Sequence, residues 1–375
     1  MEKNLKVAIV HDWLVNYGGA EDVVSAILEI YPDADIYTLV YDQKKMKGHF
    51  EGKKIIPSRL QKIPFATKLY TKLLKFMPAA FEAFDLSGYD LVICSSSSCA
   101  KGVITSPLTA QVAFIHTPMR YAWDLFYDYQ RRSGRLTRFF MKLWMPQIRL
   151  WDYVSSQRID KIVSNSKYIA RRVKKFWGRD AQVIYPPVNC EYFSPAEGSS
   201  REDFYVFFSR LVPYKRADLA IDACAALGKK LLVIGGGSEA KKLKERAKGN
   251  SNITFTGRIS DEKVREYLQK CKALIFCAEE DFGIIPVQAQ ACGTPVIAFG
   301  KGGATETVIE NKTGVFFAEQ TAESCAAAIQ AFEDLEAAGK FDEKKIAAHA
   351  KTFGRDRFIK EFKAACQEAL AEVKG

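Results

Sequence analysis

Glu280 stands just past an apolar run, Ala273-Leu-Ile-Phe-Cys-Ala278, whose length and flanks predict a buried parallel strand. Phe282-Gly283-Ile284 follows, and Pro286 falls where a first helical turn tolerates a missing N–H. A carboxylate, a glycine and a helix start at the end of a strand predict a polar pocket with free N–H groups, suited to sugar hydroxyls and phosphate. Earlier in the chain Ser209-Arg-Leu-Val-Pro-Tyr-Lys215 follows another strand, Phe204 to Phe208. Arg210 and Lys215 can point into the same pocket, where two cations suit a phosphate group. His116 follows the apolar run Gln111 to Ile115, again at a strand's carboxyl end, where such sheets bind ligands. Gly18-Gly19 lies between the strand Leu5 to Val10 and a helix from Glu21 to Ile30, so backbone N–H groups there can approach an anion.

The elements that must hold these groups alternate. Strand runs at Ile36 to Val40, Asp90 to Cys94, Lys161 to Ser164 and Gln182 to Tyr185 interleave with helical stretches, as a doubly wound parallel sheet requires. Pro186-Pro187 and the segment SPAEGSSRED precede a restart of that rhythm, so 375 residues divide into two α/β domains. We set them at 1–195 and 196–355, with a terminal helix over 356–375. Leu231-Leu-Val-Ile-Gly-Gly-Gly237 runs a strand into a glycine turn that is not G-x-G-x-x-G, which argues against a dinucleotide site. Gly302-Gly303 opens a further helix after the strand Val296 to Phe299. Asp33-Ala-Asp35 matches a metal-binding D-x-D, but Pro32 before it and a strand after it predict a plain turn, and no metal is expected.

The net charge of +11 is uneven: 28 Lys or Arg face 19 Asp or Glu in residues 1–200, against 27 and 25 in the remainder. The N-terminal half therefore expects an anionic partner. Lys44 to Lys75 holds ten cations and one acid, and Leu60, Ile63, Leu69, Leu73 and Met77 recur at helical steps among lysines. That predicts a basic amphipathic helix able to lie on an anionic membrane, the alternative being a core-facing helix with a solvated lysine face. A second basic stretch, Arg131 to Arg179, carries aromatics without any nucleic-acid motif, and no nucleic-acid partner is expected. Nine cysteines without a C-x-x-C pair predict small buried thiols in a reducing, cytoplasmic setting. No run of 18 apolar residues occurs, so nothing is expected to span a membrane, and a peripheral place on one is the expectation.

From Glu280 through Ala289, Ala291, Gly293, Pro295 and Val296 the chain resembles the retaining nucleotide-sugar glycosyltransferases of family 4, whose frame is E-x-F-G-[IL]-x-x-x-E-A-x-A-x-G-x-P-V. It departs from that frame at Gln288, where the family has its second acid. The resemblance implies a GT-B fold: two Rossmann-like doubly wound domains with an interdomain cleft, and a C-terminal helix returning to the N-terminal domain. It implies that Glu280 meets the sugar hydroxyls with the 282–284 amides and His116, that Arg210 and Lys215 hold the diphosphate, and that position 288 faces the ribose. It further implies donor contacts at Gly18, Gly19, Arg258 and Ile259.

EEDFGIIPV and HTPMRYAWDL also look like bacterial O-antigen or capsule mannosyltransferases. That likeness implies GDP-mannose as donor, without a metal or other cofactor, and a lipid-diphosphate-linked saccharide as acceptor. A UDP-sugar is the alternative donor. An epimerase of the same fold would release no nucleotide during turnover, and a non-enzymatic membrane or RNA binder would leave Arg210, Lys215 and Glu280 without a role. An inactive relative is the remaining alternative that Gln288 raises.

Overall fold

The computed structural model describes residues 5–196, 198 and 201–375. Within the expected linker, Glu197, Ser199 and Ser200 lie outside the described residues, as do Met1 to Asn4. The chain divides into one unit of Met1–Pro187 with Phe358–Gly375 and a second of Val188–Arg357.

In the first unit, β1 (Val7–His11), β2 (Asp35–Thr38), β3 (Ile55–Pro57), β4 (Leu91–Ser96), β5 (Ala110–Ile115), β6 (Lys161–Ser164) and β7 (Gln182–Val183) form one parallel sheet. Its order is β3-β2-β1-β4-β5-β6-β7. β1, β4 and β5 are buried along their whole lengths, which is why they read as unbroken apolar runs. The order reverses between β1 and β4, and the carboxyl ends at such a reversal are where sheets of this kind bind ligands.

The helix α1 (Gly19–Ile30) starts in that region, and α2 (Arg135–Ser156) packs below β4's loop. Lys101 is buried there, its ammonium 3.0 Å from Asp152 Oδ1 and 2.7 Å from Ser155 Oγ, with Trp151 and Trp177 rings over it. Asp152 also accepts the indole N–H groups of Trp123 and Trp177, so a core of tryptophans is held by one ion pair.

The second unit holds β8 (Tyr205–Phe208), β9 (Leu231–Ile234), β10 (Ile253–Gly257), β11 (Ala273–Phe276), β12 (Val296–Phe299) and β13 (Gly314–Phe317), all parallel, in the order β10-β9-β8-β11-β12-β13. Here the order reverses between β8 and β11. Their following loops are therefore neighbours. α3 (Ala217–Ala226) follows β8, and α4 (Ile284–Ala291) follows β11.

The last helix, α5 (Arg355–Lys374), returns to the first unit. Phe358, Phe362, Ala365, Cys366 and Ala369 enter the core that contains Ile9, Ile93 and Phe114. Phe358 and Phe362 stack at 5.4 Å, and both meet the edge of Phe114. Both expected features, two Rossmann-like sheets and a returning helix, are present.

The basic amphipathic helix is not. Residues 59–82 form a 3-10 turn (Arg59–Lys62), a short helix (Ala66–Leu69), a second 3-10 stretch (Tyr70–Phe76) and another short helix (Met77–Glu82). Pro64 and a left-handed Phe65 (φ 60°) break the first turn from the rest. Met77 goes into the core while Ile63, Phe65, Leu69 and Phe76 stay exposed, so the residues read as one face are split between two environments.

Asp33 lies in the turn before β2 and Asp35 is the first residue of that strand, tied to Lys54 at 2.8 Å and to the Tyr89 hydroxyl at 2.6 Å. All nine cysteines are free and buried. Among the described residues no helix is long and apolar enough to cross a membrane, and no group of three His, Cys, Asp or Glu could hold a metal ion.

Candidate active site

In the second unit, the loops after β8 and β11 meet. The Lys215 ammonium contacts Glu280 Oε1 directly, and both side chains are largely buried. Lys215 ends a 3-10 turn, Pro213–Lys215, closed by a left-handed Arg216 (φ 53°) that Asp218 holds through both of its carboxylate oxygens. Arg210, in the same loop, is exposed and has no ion-pair partner among the described residues. Lys215 and Glu280 are thus brought together, with Arg210 free to meet an incoming anion.

The glycines explain how these loops lie so close. Gly235 has φ +129°, and a Cβ there would sit 1.9 Å from the Ser209 carbonyl oxygen. At Gly237 the same atom would lie 2.1 Å from the Leu211 oxygen. Leu211 N–H donates to Gly236 O at 3.0 Å, and Glu239 N–H to Leu211 O at 3.0 Å. The three glycines after β9 are a bed for the Arg210 loop, a packing role rather than a phosphate cradle.

Gly302 and Gly303 serve the acidic loop in the same way. A Cβ at Gly303 would fall 2.3 Å from Phe282 Cα, and Gly303 N–H donates to the Glu280 carbonyl at 2.8 Å.

Phe282 is buried against Phe353, at 5.8 Å between ring centroids, so only its backbone is available to a ligand. Gly283 caps α4 in the left-handed region (φ 86°), and Ile284 begins the helix. Gln288 lies one turn on, half-buried, with no side-chain hydrogen bond among the described residues. Arg258 is exposed, its side chain lying over Gly236, and Ile259 beside it is half-buried.

Gly18, Gly19 and His116 belong to the first unit. Gly18 is exposed at the N-cap of α1 and makes no side-chain cap, so the first helical N–H groups have no side-chain acceptor there. His116 Nε2 lies 2.8 Å from Ser95 Oγ; the same hydroxyl is 3.1 Å from His11 Nδ1, and His11 Nε2 is 3.3 Å from Glu21 Oε1. Burial pushes the His116 pKa from its ordinary 6.5 down to about 3, so the imidazole is neutral at physiological pH.

Asn165 donates to the His116 carbonyl at 3.0 Å, and Arg172 to the Thr117 hydroxyl at 2.6 Å, which fixes the backbone on both sides of the ring. Beside His11, Asp12 accepts the N–H groups of Ser97, Ser98 and Ala100; burial raises its pKa against those bonds. His11, Glu21 and Ser95 carried no sequence signal as a group, because two strands and a helix start must fold before they meet.

Comparison with known proteins agrees with this architecture. Residues 17–192 match the Glycosyltransferase Family 4 model, and residues 191–352 match the model for Glycosyl transferases group 1. An uncharacterized glycosyltransferase of Methanocaldococcus jannaschii is 35% identical over 159 residues, covering 42% of this chain and 44% of that protein. A D-inositol 3-phosphate glycosyltransferase of Geodermatophilus obscurus is 28% identical over 247 residues, covering 57% and 54%.

The chain spans about half the length of the curated relatives it matches. Among solved structures, Anabaena HepE in complex with UDP superimposes with a TM-score of 0.72 at 16% identity, covering 97% of this chain and 100% of that one. Sucrose-phosphate synthase from Thermosynechococcus elongatus gives 0.72 at 19%, covering 98% and 100%. With a family 4 module followed by a group 1 module, and two parallel Rossmann-like sheets to match, the chain belongs to the GT-B-fold glycosyltransferases.

Proposed function

We propose that this chain moves a hexosyl group from a nucleoside diphosphate sugar to a hydroxyl acceptor, with retention at the anomeric carbon. The observation that carries this reading is the Lys215–Glu280 contact at the point where the second sheet reverses, with the unpaired Arg210 beside it. A donor diphosphate competes for Lys215 and is shared with Arg210. Glu280 is then released to accept sugar hydroxyls. As the C1–O bond breaks, its electron pair goes to the diphosphate, where the two cations stabilise the developing charge. The acceptor oxygen bonds to C1 on the face the phosphate leaves, and its proton passes to the departing phosphate oxygen. This route uses neither a protein nucleophile nor a metal.

GDP-mannose is the donor that the chain's resemblance to surface-polysaccharide mannosyltransferases favours, and a lipid-diphosphate-linked saccharide is the matching acceptor. UDP-glucose is the second reading, favoured by the Anabaena HepE structures with UDP and with UDP-glucose. A thermal-shift series with GDP, UDP, GDP-mannose and UDP-glucose separates the two. A true donor at 100-fold its dissociation constant adds about 2.7 kcal/mol. No shift with any of the four, together with tight RNA binding at moderate salt, contradicts the reading.

Gln288 sharpens the test. An amide accepts one diol bond but carries no charge, so Gln288→Glu is expected to tighten donor binding by about 1–2 kcal/mol, read by the same thermal series or by calorimetry. Unchanged affinity means that the ribose is not held at this position.

We assign the anionic membrane partner to the first unit, with α2 as its main contact. Leu136, Phe139, Leu143 and Leu150 are each more than half exposed along that helix, and Arg135, Arg138, Lys142 and Arg149 are its only charges before Asp152. Lys75 lies over the Trp144 ring at 4.9 Å, which joins the exposed Phe76 and its neighbouring lysines to the same surface. Apolar side chains among cations suit the headgroup layer of an acidic bilayer, each cation adding about 1 kcal/mol. Cosedimentation with phosphatidylglycerol vesicles is expected to be strong and salt-sensitive, and to fall at least tenfold in Phe139→Asp/Leu143→Asp. Equal binding to neutral phosphatidylcholine, or no loss in the variant, contradicts this assignment.

A further inference from the structure

Glu21, His11, Ser95 and His116 form a single hydrogen-bonded line across the carboxyl ends of β1, β4 and β5, and the first three are buried. We infer that Glu21, His11 and Ser95 are positioning residues that hold His116 in its Nε2–H form, leaving Nδ1 as a bare acceptor for a ligand hydroxyl.

Counting donors gives the direction. In a neutral His11 ring the single proton sits on Nε2, facing the Glu21 carboxylate, which only accepts; a second proton, on Nδ1, would turn the Ser95 hydroxyl toward His116, so an imidazolium signal for His11 at neutral pH overturns the inference. In the neutral ring His11 Nδ1 is an acceptor, and it takes the one proton that Ser95 has to give. The Ser95 oxygen must in turn accept, and its remaining neighbour is His116 Nε2, which therefore carries the ring proton of a neutral imidazole. Nδ1 has no partner among the described residues.

Neighbouring charges leave this order intact. The Asp12 carboxylate is occupied by three backbone N–H groups, and the low pKa of His116 keeps a second proton off the ring.

The consequence is a selectivity in chemistry. A lone pair at Nδ1 receives a sugar hydroxyl, which can donate. It repels the oxygens of a diphosphate, which can only accept. His116 is thus built to meet the sugar or acceptor hydroxyl rather than the phosphates. This consequence rests on the glycosyltransferase reading above, whereas the protonation pattern does not.

The test is nitrogen-detected NMR of the full chain with 15N-labelled histidine. Only four histidines are present, and His116→Gln identifies the resonances. The expected spectrum at neutral pH shows His116 with a proton on Nε2 and a pyridine-like Nδ1. Glu21→Gln, which can also donate to His11, is expected to give a mixture of His116 tautomers and about a tenfold loss of kcat/KM. His11→Asn, whose carbonyl oxygen can accept from Ser95 in place of Nδ1, is expected to retain the Nε2–H form.

A proton on Nδ1 in the wild-type chain overturns the inference, as does a mixture in Glu21→Gln with undiminished transfer. The expected tautomer in a chain that transfers no sugar supports the line while removing the glycosyltransferase reading.

Discussion

Lys215→Met is expected to lower sugar transfer roughly 10³-fold, because the diphosphate leaves with charge that this ammonium and Arg210 are placed to receive. The loss should fall on kcat as well as KM, since the bound diphosphate is already anionic and gains further charge as the bond breaks. Removing the lysine also strips Glu280 of its partner in a largely buried site, at a cost of up to ~3 kcal/mol in stability. The double variant Lys215→Met/Glu280→Gln separates the two effects. Relieved of the unpaired charge, it should regain most of the melting temperature but none of the rate. Initial rates under saturating donor, alongside thermal melts, decide the matter. A single variant that transfers within about threefold of wild type means that the lysine is structural.

Gly235→Ala is expected to destabilise the second unit by ~2–4 kcal/mol and to weaken transfer as well. The new methyl cannot be housed. It would lie 1.9 Å from the Ser209 carbonyl, on a backbone at φ +129° that L-residues rarely adopt. Either the strand end opens or the loop bearing Arg210 and Lys215 moves, and a shift of about 1 Å there is enough to cost ~10²-fold in rate. Gly249→Ala is the control. It too has positive φ, +85°, yet nothing stands within 4 Å of the added atom, so only ~1–2 kcal/mol of backbone strain is expected. Denaturant melts of the two variants should differ by at least the steric part, and equal melts would mean that the glycine bed yields.

Glu280, Arg210 and Lys215 were legible because each follows a strand of the buried core, and buried parallel strands advertise themselves as apolar runs. β3 and β13 escaped notice as short edge strands, one of them ending in Pro57 and the other beginning at Gly314. Helical spacing misled between Leu60 and Met77. Periodicity counts apolar residues but not the left-handed turn at Phe65, which redirects the chain before a second helical turn can form.

Gly235 and Gly237 read as turn residues and Gly303 as a helix start, although their reason is the approach of a loop from elsewhere in the fold. The line from Glu21 to His116 was invisible for a related cause. Its Ser95 and His11 are 84 residues apart, and only the pairing of β1 with β4 makes them neighbours.

The measurement that bears most directly on the whole account is a crystal structure of the chain soaked with GDP-mannose or UDP-glucose. Diphosphate oxygens are expected within hydrogen-bonding distance of Lys215 Nζ and the Arg210 guanidinium, with sugar hydroxyls on Glu280 and the 282–284 backbone. Donor density lined by none of these residues, with the Lys215–Glu280 pair still closed, would contradict it.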